Sequence, residues 1–243
     1  MIGQTRDGDV VTLELRRPER RNALDTAHCV ALREGVEAAV ESDARVIVIT
    51  GQGSSFCAGA DLEGDSFPEE FPEALERLLR AIDGAPVPVV AAVNGPAVGG
   101  GTQLAIACDL RVVADGAFFE IPSTRLGIAV NNWTIKRLAS LAGGGVARTI
   151  LLGGERVDAD AAFVSGLANK RGDLAVAQEW ASAITELAPL ALRHLKLVFN
   201  DDGTHDEPTP DQWAAFGAAW RSEDMKEARR ARKEKRKPKF LGR

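Results

Sequence analysis

Short apolar runs alternate with helical stripes through the first half of the chain, and this alternation restricts the fold more than any other feature. The uninterrupted runs at residues 46–49 and 89–93 predict buried strands. Residues 26–42 and 71–82 carry apolar side chains at helical spacing, so we expect helices there. Strands that are joined through helices need crossover connections, which place the strands parallel to one another. The predicted fold class is therefore α/β.

Further patterns complete the coarse architecture. Residues 10–15 follow the turn Asp7–Gly8, which predicts a β-hairpin. A helix of small side chains is expected at 98–107 and a strand at 110–114. From residue 131 onward the pattern favours helices with few strands. The helices expected there are 131–141, 146–152, 159–165, 173–187, 190–199 and 210–232.

Composition and charge argue against several classes of protein. The net charge of −5 disfavours a nucleic-acid-binding surface over the whole molecule. The three cysteines are far apart and form no C-x-x-C pair, so we expect no disulfide framework, no metal site and a cytoplasmic location. Residues 84–108 carry no charged side chain, but their prolines and glycines would break a spanning helix. We therefore expect no membrane span.

Two glycine-rich segments follow predicted strands. Residues 51–56 nearly match the dinucleotide-binding fingerprint, but Phe56 stands where a third glycine would permit close packing, so a surface turn is the better interpretation. Residues 94–101 end in three glycines at the start of a predicted helix, where unpaired N–H groups can meet a polarised oxygen. A Walker phosphate loop has a lysine directly after its glycines, and this segment has none. Taken alone, the glycine run suits oxygen binding and close packing equally well.

Segments 18–24, 56–62 and 94–101 taken together resemble, in order and spacing, the enoyl-CoA hydratase/isomerase (crotonase) superfamily. The basic tail at 235–243 is also similar to that family's C-terminus, so the likeness covers essentially the whole chain. In finer detail, the chain looks most similar to a mycobacterial member that lacks the usual hydratase acids and binds long-chain acyl-CoA. The resemblance implies a crotonase-like ββα spiral core with an acyl-CoA site at 1–187 and a helical trimerisation region at 188–243. It also implies a homotrimer, or a hexamer built as a dimer of trimers.

The same resemblance implies where a coenzyme A thioester would bind. Its carbonyl oxygen would lie between the backbone N–H groups of Ala60 and Gly100, which stabilise charge on that oxygen. Arg20 or Arg21 would meet a CoA phosphate, although a solvated arginine is the alternative for at least one of them. The thioester is then a ligand, and no cofactor is bound permanently. The residues implied along the adenine and pantetheine are Ala58, Ala60, Asp61 and Leu62.

The chain departs from a working hydratase at both acid–base positions. The family's two glutamates correspond here to Gln103 and Ser123, and neither side chain acts as a base near neutral pH without an activating partner. Asn131 and Trp133 stand where relatives carry smaller residues, and they would reshape the acyl pocket. A helix N-cap for Asn131 and an ordinary core position for Trp133 are equally good interpretations.

The leading hypothesis is a binder or carrier of fatty acyl-CoA in fatty-acid metabolism, with the oxyanion hole kept and the hydratase acids absent. The alternative is an active enoyl-CoA hydratase or isomerase with a relocated base. Asp61 and Glu120 are weak candidates for that base, and a structural role is the better interpretation of Asp61. A purely structural interaction protein is a third possibility. The basic tail at 229–243 is a candidate nucleic-acid-binding segment, but the negative net charge of the whole chain disfavours that interpretation. Residues 235–239 would instead face CoA phosphates across a subunit interface, or form a solvated helix.

Overall fold

The structure is a computed structural model that describes residues 1–61 and 69–242. Its strands are β1 (Ile2–Asp7), β2 (Val10–Leu15), β3 (Val46–Gly51), β4 (Val89–Val93), β5 (Ala97–Val98), β6 (Leu110–Val113), β7 (Phe118–Glu120), β8 (Val157–Asp158) and β9 (Lys170–Arg171). Its helices are α1 (Thr26–Glu41), α2 (Phe71–Asp83), α3 (Gly100–Ala107), α4 (Asn132–Leu151), α5 (Ala159–Val164), α6 (Leu174–Thr185), α7 (Pro189–Asn200), α8 (Pro210–Arg221) and α9 (Glu223–Lys233). Short 3-10 turns lie at Pro18–Arg20 and Thr124–Leu126.

A six-stranded sheet in the order β1-β2-β3-β4-β6-β9 forms the centre of the molecule. Strands β2, β3, β4, β6 and β9 pair in parallel, and β1 pairs antiparallel with β2 as a hairpin. The predicted parallel sheet, hairpin and α/β class are confirmed. A second, three-stranded sheet in the order β5-β7-β8 lies beside it.

Both faces of the large sheet are covered, which explains the unbroken apolar runs of its strands. In β3, Ile47 and Ile49 belong to the main hydrophobic core, which also contains buried side chains of α1 and α2. The alternate residues Val46 and Val48 pack in a second core with Ala177 of α6. This alternation follows from the two-residue period of a strand, which sends successive side chains to opposite faces.

The helices of the second half begin and end at positions that differ in part from the sequence prediction. The single helix expected at 210–232 is wrong, because Ser222 is extended (φ −69°, ψ 156°) and begins α9 by accepting a hydrogen bond from the Met225 N–H. In α4, Gly143 has non-helical backbone angles (φ 76°, ψ 153°), which places a kink in the predicted gap between 141 and 146. The helix expected from residue 98 begins instead at Gly100, because residues 97–98 pair with β7 as β5.

No helix among residues 1–61 and 69–242 combines the length and the apolar character that a bilayer crossing requires.

Candidate functional site

The loops that follow β3 and β4 meet at one edge of the sheet, because these parallel neighbours end on the same side. Two backbone hydrogen bonds join the loops, from the Cys57 N–H to the Pro96 oxygen at 3.1 Å and from the Val98 N–H to the Cys57 oxygen at 2.9 Å. The segment 56–61 is thereby fixed against the start of α3. The two motifs that the sequence analysis singled out are therefore in contact.

Glycine is required at two positions of this contact. A Cβ on Gly101 would lie 2.1 Å from the Cys57 oxygen, and a Cβ on Gly59 would lie 2.5 Å from the Val98 oxygen. Gly59 also has a φ of +88°, a backbone angle that residues with a side chain rarely adopt. Part of the glycine run therefore serves close packing, as one of the two interpretations proposed.

The N–H of Ala60 is turned away from the hydrogen bonds that hold its own segment. The Leu24 N–H donates to the Gly59 oxygen and the Asp61 N–H donates to the Leu24 oxygen, each at 2.7 Å. Since successive residues of an extended chain direct their N–H groups to opposite sides, the Ala60 N–H points away from Leu24. Within the described ranges it donates to no backbone acceptor.

Gly100 supplies a second N–H beside the first. It is the first residue of α3, and the opening N–H groups of a helix have no intrahelical acceptor. A Cβ on Gly59 would lie 3.3 Å from the Gly100 nitrogen, and a Cβ on Gly100 would lie 3.7 Å from the Ala60 nitrogen. Two donors at the electropositive end of a helix are thus close enough to share one oxygen atom.

Ala60 and Gly100 border a cavity of about 500 Å³ whose walls are mostly apolar. Helix α2 contributes Phe71, Leu75 and Leu79, and helix α8 contributes Trp213, Phe216 and Trp220. Helix α8 is fixed over the cavity by a hydrogen bond from Trp220 Nε1 to the Ala129 oxygen at 2.9 Å. The arrangement suits a ligand with a polar group at the two amides and a long apolar chain.

The polar side chains on the cavity wall include Gln103, Ser123 and Asn131. All three were predicted to lie at the site, and the structure brings them together there. Glu76 is the one charged side chain in the described part of the cavity wall. It is half exposed and forms an ion pair with Arg80 at 2.8 Å. The described part of the wall therefore carries amides, a hydroxyl and the carboxylate of Glu76.

Neither weak candidate for a replacement acid borders this cavity. The buried carboxylate of Glu120 lies between Arg125, at 2.5 Å, and Arg156, at 2.8 Å. Asp61 accepts ion pairs from Arg17 at 2.8 Å and from Arg20 at 3.2 Å. Both carboxylates are held by arginines, which is the structural role anticipated for Asp61.

Asn131 and Trp133 have different positions. Asn131 borders the cavity and also caps α4, because its Oδ1 accepts the Thr134 N–H at 3.1 Å. Trp133 is absent from the described cavity wall and packs against the main hydrophobic core, which favours the core position over a place in the acyl pocket. The aromatic wall comes instead from α8, which the sequence analysis missed. The spacing of Trp213, Phe216 and Trp220 on one helical face was the available signal.

A second cavity of about 380 Å³ adjoins the first, since Ala58 and Ala60 line both. Arg21 and Arg232 border it, and Arg232 reaches it from α9 of the same chain. The sequence analysis expected basic C-terminal residues here from a neighbouring subunit and did not single out Arg232. Leu62, the remaining residue expected along the pantetheine, lies outside the described residues.

The family model described as enoyl-CoA hydratase/isomerase matches residues 5–243. The chain belongs to this family. It is 52% identical to a probable enoyl-CoA hydratase, echA6, of Mycobacterium leprae, with all of both chains covered. It is 34% identical to a crotonyl-CoA hydratase of Syntrophomonas wolfei, over 96% of this chain and 94% of the relative.

Among solved structures, an enoyl-CoA hydratase/isomerase from Pseudoalteromonas atlantica matches with a TM-score of 0.88 and 27% identity, covering 99% of both chains. The predicted membership in the family, the likeness to a mycobacterial member and the crotonase-like fold are confirmed. Among the described residues, no cluster of His, Cys, Asp and Glu side chains is arranged to hold a metal ion.

Proposed function

We propose that this member of the enoyl-CoA hydratase/isomerase family is a binder or carrier of fatty acyl-CoA and does not hydrate it efficiently. The thioester oxygen accepts hydrogen bonds from the Ala60 and Gly100 N–H groups. The acyl chain extends between α2 and α8, and the nucleotide lies in the second cavity. The single observation that carries the proposal is the pair of adjacent backbone donors that face an apolar cavity.

The polar groups at the acid–base positions support binding over hydration. Hydration adds water across a double bond and needs groups that take up and release a proton. An amide at Gln103 and a hydroxyl at Ser123 form hydrogen bonds but do not ionise near neutral pH. The site therefore retains the means to hold a thioester oxygen without the pair of groups that would move the proton.

The nucleotide half of the proposal rests on Arg21 and Arg232. Arg20 already pairs with Asp61, whereas Arg21 is exposed on the rim of the second cavity. Both arginines line this cavity together with the carboxylates Glu19 and Asp61, and two guanidinium groups suit a phosphate group. Because Ala58 and Ala60 line both cavities, one ligand can reach from these arginines to the two amides.

The direct test compares three ligands by calorimetry: an acyl-CoA, the S-alkyl-CoA thioether of the same chain length, and free CoA. The thioether lacks only the carbonyl oxygen, so it loses two hydrogen bonds worth about 2 kcal/mol together, or about 30-fold in Kd. Free CoA should bind more weakly still, because it lacks the acyl chain. Equal affinity for the acyl-CoA and the thioether would contradict the proposed role of the amides.

The alternative is an active hydratase or isomerase with a relocated base, and Glu76 is the described residue that favours it. Its carboxylate borders the cavity, although it is half exposed and paired with Arg80. If Glu76 is the base, the protein turns over enoyl-CoA and Glu76→Gln abolishes that turnover without weakening acyl-CoA binding. The variant Glu73→Gln, on the same helix and outside the cavity wall, is the matched control.

We also propose that the chain assembles as a homotrimer or hexamer in the cytoplasm, with residues 1–187 as the binding core and 188–243 as the oligomerisation region. Helix α7 supports this assembly because it exposes a set of apolar side chains that a second copy would cover. These side chains are Leu190, Leu195, Leu197, Val198 and Phe199. Light scattering coupled to gel filtration tests the assembly, and a monomer at micromolar concentration would contradict it.

A further inference from the structure

The glycine run that carries the second donor has little stiffness of its own. Gly99 adopts φ +53° and ψ −113°, angles that suit glycine, and a Cβ there would meet no atom within 4 Å. Packing around Gly99 therefore does not fix the peptide between Gly99 and Gly100, whose plane sets the direction of the Gly100 N–H. Hydrogen bonds on either side of that peptide hold it instead.

Two residues at the start of α3 are tethered to one oxygen atom on strand β7. The Gly99 N–H donates to the Glu120 backbone oxygen at 2.7 Å, and the Thr102 hydroxyl lies 3.0 Å from the same oxygen. Gly99 directly precedes Gly100, and Thr102 follows it by two residues. The donor peptide is thus held from both sides through a single acceptor.

The Thr102 side chain also binds strand β5. Its Oγ1 lies 2.7 Å from the Ala97 backbone oxygen, and the hydroxyl shares its one proton between this oxygen and that of Glu120. The same Oγ1 accepts the Glu120 N–H at 3.3 Å. Thr102 is fully buried, so water does not replace these partners. We call Gly99, Thr102 and the Glu120 main chain the donor bracket.

Strand β7 gives the donor bracket a fixed base. The buried Glu120 carboxylate pairs with Arg125, from the turn that follows β7, and with Arg156, from the residue before β8. A buried carboxylate that lost its partners would be costly, so these ion pairs hold the end of β7 in place. The carboxylate that the sequence analysis considered as a base therefore has a structural use.

We propose that Thr102 is a positioning residue for the oxyanion donor Gly100, because its hydroxyl keeps the first turn of α3 in the orientation that directs the Gly100 N–H into the cavity. The inference rests on the proposed function, since it concerns the hydrogen bond from this N–H to a thioester oxygen. Thr102 is absent from the described cavity wall, so it acts through Gly100 and not on the ligand. A donor that is not held in one direction loses part of its hydrogen bond to the cost of ordering it.

The test is a ratio of two Kd values, that of an S-alkyl-CoA thioether divided by that of the acyl-CoA of the same chain length. In the wild-type protein the two amides should make this ratio about 30. Thr102→Val keeps the shape of the side chain and removes the hydroxyl, so the ratio should fall to about five, the effect of one remaining hydrogen bond. The Kd of the thioether should stay close to the wild-type value, because this ligand has no oxygen for Gly100. A general loosening of the site would weaken both ligands alike and leave the ratio unchanged.

Two matched variants separate the hydroxyl from other effects of the substitution. Thr102→Ser restores the hydroxyl without the methyl group, so the ratio should return to about 30. The control Thr185→Val removes another buried hydroxyl, which donates to the Ser182 oxygen at 2.7 Å on α6 and borders neither cavity. Its ratio should also be about 30.

A further variant keeps the test decisive if Thr102→Val does not fold. Thr102→Ala also removes the hydroxyl, but it places no methyl group against the two carbonyl oxygens, and its ratio should be about five. A ratio of about 30 in either variant overturns the positioning role of Thr102 and leaves the proposed function standing. A ratio of about five in Thr102→Ser overturns the part assigned to the hydroxyl. A ratio of about one in the wild-type protein overturns both the inference and the proposed function.

Discussion

Replacing Gly100 by proline removes one oxyanion donor and leaves helix α3 its hydrogen bonds. Gly100 is the first residue of α3, where proline is tolerated because that N–H has no partner in the helix. A Cβ at this position would meet Gly59 Cα at 3.6 Å and Leu75 Cδ2 at 3.7 Å, which are ordinary van der Waals contacts. The control Gly100→Ala carries the same Cβ and keeps the N–H, so the difference between the two variants reports the loss of the donor together with the proline ring carbons that replace its hydrogen.

The size of the effect distinguishes a binder from an enzyme. Loss of one hydrogen bond to a neutral carbonyl weakens binding by about 1 kcal/mol, or about fivefold in Kd. Loss of the same donor to a developing enolate costs about 3 kcal/mol of transition-state stabilisation, or a factor of about 100 to 1,000 in turnover. Calorimetry with one acyl-CoA on both variants measures the first quantity. Identical Kd values for Gly100→Pro and Gly100→Ala would refute the assignment of this N–H to the thioester oxygen.

The remaining predictions concern the nucleotide, the C-terminal tail and the thiols. Arg232→Ala should raise the Kd of acyl-CoA more at low salt than at high salt, and equal changes in calorimetry would exclude a contact with phosphate. A hydrogen bond from Arg236 lowers the pKa of Glu227 from 4.5 to about 2, so the stability it supplies is complete above pH 4.5 and is lost as the pH falls towards 2. Thermal melts of wild type should therefore fall more steeply across that range than melts of Glu227→Gln, and parallel curves would contradict this. Burial raises the pKa of each of the three cysteine thiols to about 12, so a thiol reagent at pH 8 should label them only on unfolding, and fast labelling of the folded protein would refute it. These are Cys29, Cys57 and Cys108.

The elements with a clear hydrophobic pattern in the sequence could be predicted from it. Residues 46–49 and 89–93 are apolar on both strand faces, and this pattern alone indicates a parallel sheet covered on both sides. Strands β5, β8 and β9 have two residues each, which is too short to show a two-residue period. Their pairing depends on contacts between segments that are distant in sequence, so no local pattern indicated them.

The two sides of the candidate site were predictable to different degrees. Ala60 and Gly100 lie in glycine motifs of fixed spacing, and the structure places their N–H groups side by side. Their role towards a thioester stays a prediction. Trp213 and Phe216 were missed because the direction of a helical face is set by how the whole helix docks, and α8 begins more than 100 residues after the second glycine motif. Arg232 was missed for the same reason, since α9 brings it to the second cavity.

The central claim is that the site holds an acyl-CoA at two amides without groups that move a proton. Its most direct test measures binding and turnover on one sample, with crotonyl-CoA and a long-chain enoyl-CoA, by calorimetry and by the loss of enoyl absorbance. The account predicts saturable binding of the long-chain thioester, with hydration far below the order of 10 per second that is usual for enzymes. Hydration at that rate or faster would contradict it.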